Sequence, residues 1–223
     1  MTDVLDRLVV PGEDLLRRVD RLLAGGGIPA GSEVVGLLER VGVLPGEVLE
    51  YGLRLDVGAL REAARELAEV GERFRGLPER LSADIDDSGW EGSGAAAFQG
   101  VWGALAAHIG DGDSADSIVG RIDATSAYLE AVADWAGGFR YELAEAIARV
   151  ISSAEAVTVV TAEHEGGGVE AAVRIAERVL RTAADGLGLA DGLQRQWEER
   201  LGEMQFRPAQ SPPGAGGVTR VAL

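Results

Sequence analysis

Carboxylates and imidazoles are the groups in this sequence that could bind a metal ion. Asp111, Asp113 and Asp116 lie close together, but a calcium-binding EF-hand loop requires a glycine at its sixth position and a glutamate at its twelfth. Glu163-His164-Glu165 also offers ligands, yet no second histidine follows four residues later, and the other histidine of the chain is His108. Helix capping and ordinary helix positions explain these residues better, so the sequence predicts no metal site.

Nucleophilic catalysis is also poorly supported by the residue types and their spacing. The chain has no cysteine, which excludes thiolate nucleophiles, zinc–thiolate sites and disulfides. Ser126, Ser152 and Ser153 lie within helical patterns, where a hydroxyl bonds to the preceding turn. No glycine-rich loop follows a strand to bind phosphate. We therefore expect no enzymatic activity and no cofactor.

One glycine-rich stretch contains a single large aromatic residue. Residues 87–94 read Asp-Ser-Gly-Trp-Glu-Gly-Ser-Gly and separate two amphipathic helical patterns. Glycine permits the positive φ angles of a tight reversal, and Ser93 is a suitable N-cap for the next helix. Exposing Trp90 fully to water would be costly, so we expect it over the end of the hairpin or in a partner's groove. The stretch predicts a helical hairpin with an aromatic cap.

Tyr141 and Glu145 form a second pair of interest. They are four residues apart, so both project from one face of a helix and fall largely outside its apolar positions. A phenol and a carboxylate held in this way could serve as a recognition label. The other tyrosines, Tyr51 and Tyr128, are followed four residues later by Leu55 and Val132 and lack the acid.

The Trp90-Glu91-Gly92 turn between amphipathic helices resembles the WXG superfamily, the helical-hairpin substrates of type VII (ESX) secretion systems. The resemblance covers roughly residues 56–150. In these families a tyrosine followed four residues later by an acid forms the second half of the secretion signal. The resemblance therefore implies a signal made of Trp90, Gly92, Tyr141 and Glu145. It also implies pairing with a second copy or a small helical partner, and recognition by the secretion ATPase.

Other interpretations of these residues stay open. In short family members the tyrosine motif lies near the end of the second helix, whereas here regular helix is predicted some twenty residues beyond Tyr141. Tyr141 and Glu145 could be ordinary surface residues, and Trp90 could cap a hairpin of another family. The protein could also be a cytosolic adaptor for an exported toxin. A third alternative is a secreted membrane-acting oligomer that uses the apolar helices of residues 12–54.

The apolar periodicity predicts an all-α protein, an elongated helical hairpin or bundle with coiled-coil-like heptad seams. Short helices punctuated by proline and glycine occupy residues 1–54. A WXG-like hairpin core spans residues 55–165, interrupted near Pro78, with a regular pattern from Ile118 to Val160 in its second arm. A C-terminal helix occupies residues 166–206 and a flexible tail residues 207–223.

Charge and hydropathy limit the possible partners and the route of export. The formal net charge is −16, which argues against nucleic acid and against electrostatic docking on anionic lipid. The N-terminus lacks the basic region and unbroken apolar run of a Sec signal peptide, and no stretch is apolar for long enough to span a membrane. We expect synthesis in the cytoplasm and export to the medium or cell surface by the type VII route.

Overall fold

The computed structural model describes residues 3–29, 31–110, 114, 116–162 and 168–203. The predicted all-α class is confirmed, since these residues form helices and no strand. The described helices are α1 (Val4–Arg7), α2 (Val9–Gly26), α3 (Glu33–Val41), α4 (Pro45–Arg54), α5 (Val57–Arg75), α6 (Leu77–Asp87), α7 (Ser93–Ile109), α8 (Ile118–Ile151), α9 (Ala154–Thr161) and α10 (Val169–Glu203). The predicted tail of residues 207–223 lies outside the described residues.

Two compact units share these helices. The first unit comprises residues 1–63 and 128–197, and the second comprises residues 64–127 and 198–223. The first unit therefore combines the short N-terminal helices with the later part of α8, with α9 and with most of α10. The predicted boundary at residue 54 coincides with the end of α4, and residue 165 lies outside the described residues, so the predicted domain division stays a prediction.

The main hydrophobic core belongs to the first unit. Its fully buried side chains come from the short helices α1 to α4 and from α8 and α10, and include Leu5, Leu16, Val19, Val34, Leu49, Leu143, Ile147, Ile175 and Leu180. Burying side chains of this size removes apolar surface from water, which is the dominant favourable contribution to folding. The short helices thus pack on the rest of the chain, whereas their one-sided apolar patterns alone are equally compatible with packing on a partner.

Local capping explains where the short helices begin. The Ser32 hydroxyl accepts a hydrogen bond from the backbone N–H of Val34 at 3.3 Å and starts α3. Pro45 occupies the first turn of α4, where its missing N–H costs nothing. The Asp20 carboxylate of α2 accepts a hydrogen bond from the Gly46 N–H at 3.1 Å. A side chain from another helix therefore caps α4.

The interruption predicted near Pro78 is present. α5 ends at Arg75, Gly76 separates it from α6, and Pro78 lies in the first turn of α6. Because proline has no N–H and clashes with the preceding turn, it is tolerated in a first turn but not in a helix interior. The first arm of the predicted hairpin core is therefore divided into two helices, α5 and α6.

The second arm of the predicted hairpin core consists of two helices, α8 and α9, where the apolar pattern predicts one continuous helix. The regular pattern was expected to continue to Val160, but α8 ends at Ile151 and the Ser153 hydroxyl caps α9 by accepting from the Ala156 N–H at 3.2 Å. The new helix start changes which side chains face inward. Val157 and Val160 are exposed, whereas Val159 is buried. The coiled-coil-like seams of this arm stay a prediction.

Candidate recognition surface

Glycine geometry forms the turn that carries Trp90. Gly89 and Gly92 have φ angles of +63° and +101°, a region that side-chain-bearing residues rarely adopt. Gly92 is the N-cap of α7. The expectation that Ser93 would be the N-cap is wrong by one residue, because Ser93 is already helical and Gly92, with its positive φ angle, precedes the helix.

Trp90 caps the turn as predicted. Its ring lies 5.5 Å from the Phe98 ring between centroids, with the planes tilted by 48°. A Cβ atom on Gly94 would lie 3.5 Å from the indole, so the ring covers the first turn of α7. Trp90 is nevertheless 53% exposed, which leaves a large part of the indole accessible.

α7, the helix that follows the Trp90 turn, has an apolar exposed face, although Glu91 in the turn is itself exposed. α7 contains no aspartate, glutamate, lysine or arginine, and it exposes Phe98, Val101 and Leu105 at spacings of three and four residues. Residues at these spacings share one face of a helix. Contiguous apolar exposure of this kind marks interaction sites on soluble proteins. We call Trp90, Phe98, Val101 and Leu105 the α7 stripe.

One hydrogen bond links α7 to α6 within the second unit. The Trp102 indole N–H donates to the Ser82 hydroxyl at 2.8 Å. On α8, Ser126 donates to the Ala64 carbonyl of α5 at 2.8 Å, and Arg75 of α5 pairs with Asp123 at 2.6 Å. These polar contacts join α6 to α7 and α5 to α8 within the second unit, and the α7 stripe stays exposed.

Tyr141 lies on α8 in the first unit and is 61% exposed. It lines a groove of about 570 Å³ together with Trp135 and Phe139 of α8 and Leu189 of α10. Glu145, one helical turn further along, is half-buried and pairs with Arg149 at 2.6 Å. The phenol is therefore accessible, and the carboxylate is engaged by a basic neighbour on its own helix.

The four residues of the implied signal form two separate pairs. Trp90 and Gly92 belong to the turn of the second unit, and Tyr141 and Glu145 belong to α8 of the first unit. The positive φ angles of Gly89 and Gly92 shape the turn that carries the first pair. The packing of α8 in the first unit positions the second pair.

Arg140, directly before Tyr141, was missed by the sequence interpretation. Its side chain is 8% exposed and pairs with Asp3 at 2.6 Å and Asp6 at 2.9 Å. It also donates to the Gly52 carbonyl at 2.6 Å, near the end of α4. The Arg140 hydrogen bond lowers the pKa of Asp3, and Asp3 in turn raises the pKa of Arg140. Arg140 therefore joins α8 to the chain's N-terminal helix and to α4.

The metal candidates receive no support from geometry within the described residues. No group of three or more histidine, aspartate and glutamate side chains in the described ranges could hold a metal ion. Asp111, Asp113 and residues 163–165 lie outside the described residues. Where the structure describes the chain, none of its helices combines the length and the apolar character that crossing a membrane requires.

The fold and these surfaces define a class: an all-α protein with an exposed aromatic turn. No protein-family model, curated protein or solved structure matches the chain. The assignment of a function therefore depends on its own residues and on the resemblance of the Trp90 turn.

Proposed function

We propose that this protein is a substrate of a type VII (ESX) secretion system that acts through protein–protein contacts. The observation that carries the proposal is the exposed Trp90 in a Trp-Glu-Gly turn between α6 and α7. An aromatic side chain that remains half exposed to water is typical of a binding determinant.

The second part of the proposed signal is Tyr141 with Glu145. The exposure of Tyr141 makes it available to a secretion ATPase, which must read the folded helix from outside. Accessibility is a requirement of the proposal, and a buried Tyr141 would have argued against it. The α7 stripe would contact a second copy or a small helical partner.

Export can be tested by measuring the protein in culture filtrate and in lysate of a native host with and without its type VII ATPase. The ATPase deletion, Trp90→Ala and Tyr141→Ala should each remove the protein from the filtrate while soluble protein stays in the lysate. Tyr51→Ala is a matched control, because Tyr51 is similarly exposed on α4 but is followed four residues later by Leu55. It should be exported normally.

Retention of the wild-type protein in the lysate of the intact host would contradict the substrate proposal. Equal loss of export for Tyr51→Ala would indicate a general folding defect instead of a signal. Thermal unfolding of each purified variant separates these causes, since loss of a signal leaves the melting temperature near that of the wild type.

A cytosolic adaptor for an exported partner is the second candidate, and the α7 stripe favours it. A helix without charged residues that exposes Phe98, Val101 and Leu105 is suited to an apolar face on another helix. If the wild type stays in the lysate, affinity purification should recover a helical partner, and Val101→Asp should release that partner. Absence of a stoichiometric partner would contradict the adaptor role.

A further inference from the structure

A second, more apolar pocket lies in the first unit and shares Trp135 and Phe139 with the groove that Tyr141 lines. It has a volume of about 410 Å³ and lies among the α3–α4 connection, α4, α8 and α10. Its lining is mostly aliphatic and aromatic, and consists of Val41, Val43, Val48, Tyr51, Arg54, Leu55, Trp135, Phe139, Ala183 and Leu187. Binding sites for small molecules are commonly pockets of this size with apolar walls and a few polar groups that orient the ligand.

The inner wall of the pocket is held rigidly. Trp135 and Phe139 are stacked with an interplanar angle of 8°, and the Trp135 indole N–H donates to the Gly186 carbonyl at 2.9 Å. A Cβ atom on Gly186 would lie 2.4 Å from the Phe139 ring. Glycine is therefore required for α8 and α10 to approach here, and this close approach fixes the aromatic wall.

The polar groups of the pocket lie together on α4. Among the described lining residues, Arg54 is the one charged side chain, and its guanidinium lies 5.7 Å from the centre of the Tyr51 ring. Arg54 also pairs with Glu50 at 3.6 Å, but both side chains of this pair are well exposed. An exposed ion pair of this kind contributes little free energy, so a ligand can displace Glu50 at small cost.

We propose that this pocket binds a medium-chain carboxylate. The alkyl chain lies against Val48, Phe139 and Leu187, and the carboxylate accepts hydrogen bonds from the Arg54 guanidinium. Arginine suits this role because its planar donors match the two oxygens of a carboxylate. The charge of Arg54 is complementary to an anionic head group, although the whole chain carries a net charge of −16. None of the proposed signal residues Trp90, Gly92, Tyr141 and Glu145 lines this pocket.

Titration calorimetry of the full chain with decanoate and with decan-1-ol tests the assignment. Decanoate should bind with one site per chain, and decan-1-ol should bind about two- to fivefold more weakly, because its hydroxyl cannot form the ion pair with the exposed Arg54 guanidinium. Arg54→Gln should weaken decanoate binding by a similar factor and leave decan-1-ol binding unchanged. Arg17→Gln is the matched control, because Arg17 forms the same kind of exposed pair, with Glu13.

A pocket-filling variant locates the site. Leu187 is partly exposed at the rim, so Leu187→Trp adds volume to the pocket without overfilling the buried core, and it should weaken both ligands. Circular dichroism melting checks that each variant is folded. No binding of decanoate below its micelle-forming concentration overturns the proposal. Equal affinity for the two ligands, or unchanged decanoate binding in Arg54→Gln or Leu187→Trp, overturns it as well.

Discussion

Arg140 and Tyr141 are neighbours on α8 with opposite surroundings. Arg140 points into the first unit and Tyr141 points to solvent, because successive helical residues differ by about 100° around the axis. The apolar periodicity of α8 marks Phe139 and Leu143 as inward-facing positions and gives no sign that Arg140 is buried. A charged residue is almost never fully buried unless it is paired. Its partners Asp3 and Asp6 are more than 130 residues away in the chain, so sequence spacing could not reveal them.

Replacing Arg140 tests its role in stability. Arg140→Met should lower the free energy of unfolding by about 3 kcal/mol, because it removes the donor to the Gly52 carbonyl and the positive charge that pairs with two carboxylates, which keep the backbone N–H bonds they receive from each other's residues. Denaturant unfolding followed by circular dichroism measures the change. Arg61→Met is the control: Arg61 pairs with Asp134 at 3.1 Å on an exposed surface, and its loss should cost less than about 1 kcal/mol. Equal effects of the two substitutions would contradict a special role for Arg140.

Asp20 predicts a specific pH dependence of stability. Burial raises its pKa to about 6, although the Gly46 N–H donates to it, and the nearby Glu47 charge adds to the rise. Because the folded-state pKa is above the ordinary value of 3.8, this carboxyl stabilises the fold fully below about pH 4. That contribution is lost as the pH rises through 6.

Asp20→Asn removes this titration and keeps an acceptor for the Gly46 N–H. The stability of the variant relative to the wild type should rise between pH 4 and pH 7 by about 1–2 kcal/mol, after allowance for partial solvent exposure. Comparing the two proteins at each pH cancels the opposite effect of Asp3, whose lowered pKa costs stability as the pH falls. A flat difference for Asp20→Asn would exclude the elevated pKa.

At the scale of helices, capping residues, proline and glycine predict where several of the helices begin or end. They do not predict the end of α8, where a serine cap starts a new helix within a continuous apolar pattern. Ser32, Pro45 and Gly76 are local signals, and α3, α4 and the α5–α6 break follow them. The end of α8 is different. An apolar pattern continues across Ser152 and Ser153, so periodicity alone favoured one helix, whereas the Ser153 cap begins another. Serine is compatible with both a helix interior and an N-cap, and only tertiary packing decides between them.

At the scale of a single helix, alanine substitutions at Gly92 and Gly100 should change the free energy of unfolding in opposite directions. Gly92→Ala should lower the free energy of unfolding by about 1–3 kcal/mol, because a φ of +101° strains any residue with a Cβ atom. Gly100→Ala in the interior of α7 meets no neighbouring atom and should raise stability by about 0.5–1 kcal/mol. Chemical denaturation of both variants measures the difference. A neutral Gly92→Ala would mean that the turn adopts another conformation.

At the scale of the whole molecule, the sequence predicts the helical class but not the partition of the core. Each short N-terminal helix has one apolar face, and such a face can pack on the chain itself or on a partner. The core places these helices against α8 and α10, through contacts between residues far apart in the sequence. Meanwhile α6 contributes no buried residue, and α7 contributes only Ala95 and Ile109. The two units therefore differ in how much apolar surface each buries.

This difference predicts unequal protection of backbone amides from hydrogen exchange. Local opening costs least free energy where few apolar side chains are buried. Amides of α6 and α7 should exchange faster than those of α2, of α8 from Ala136 to Val150 and of α10 from Ala172 to Ala184, where the buried side chains concentrate.

Exchange measured by mass spectrometry at several protein concentrations also tests whether the α7 stripe contacts a second copy of the chain. Protection of α7 that grows with concentration would indicate self-association on that stripe, whereas concentration-independent protection equal to that of α8 would contradict the thinner packing.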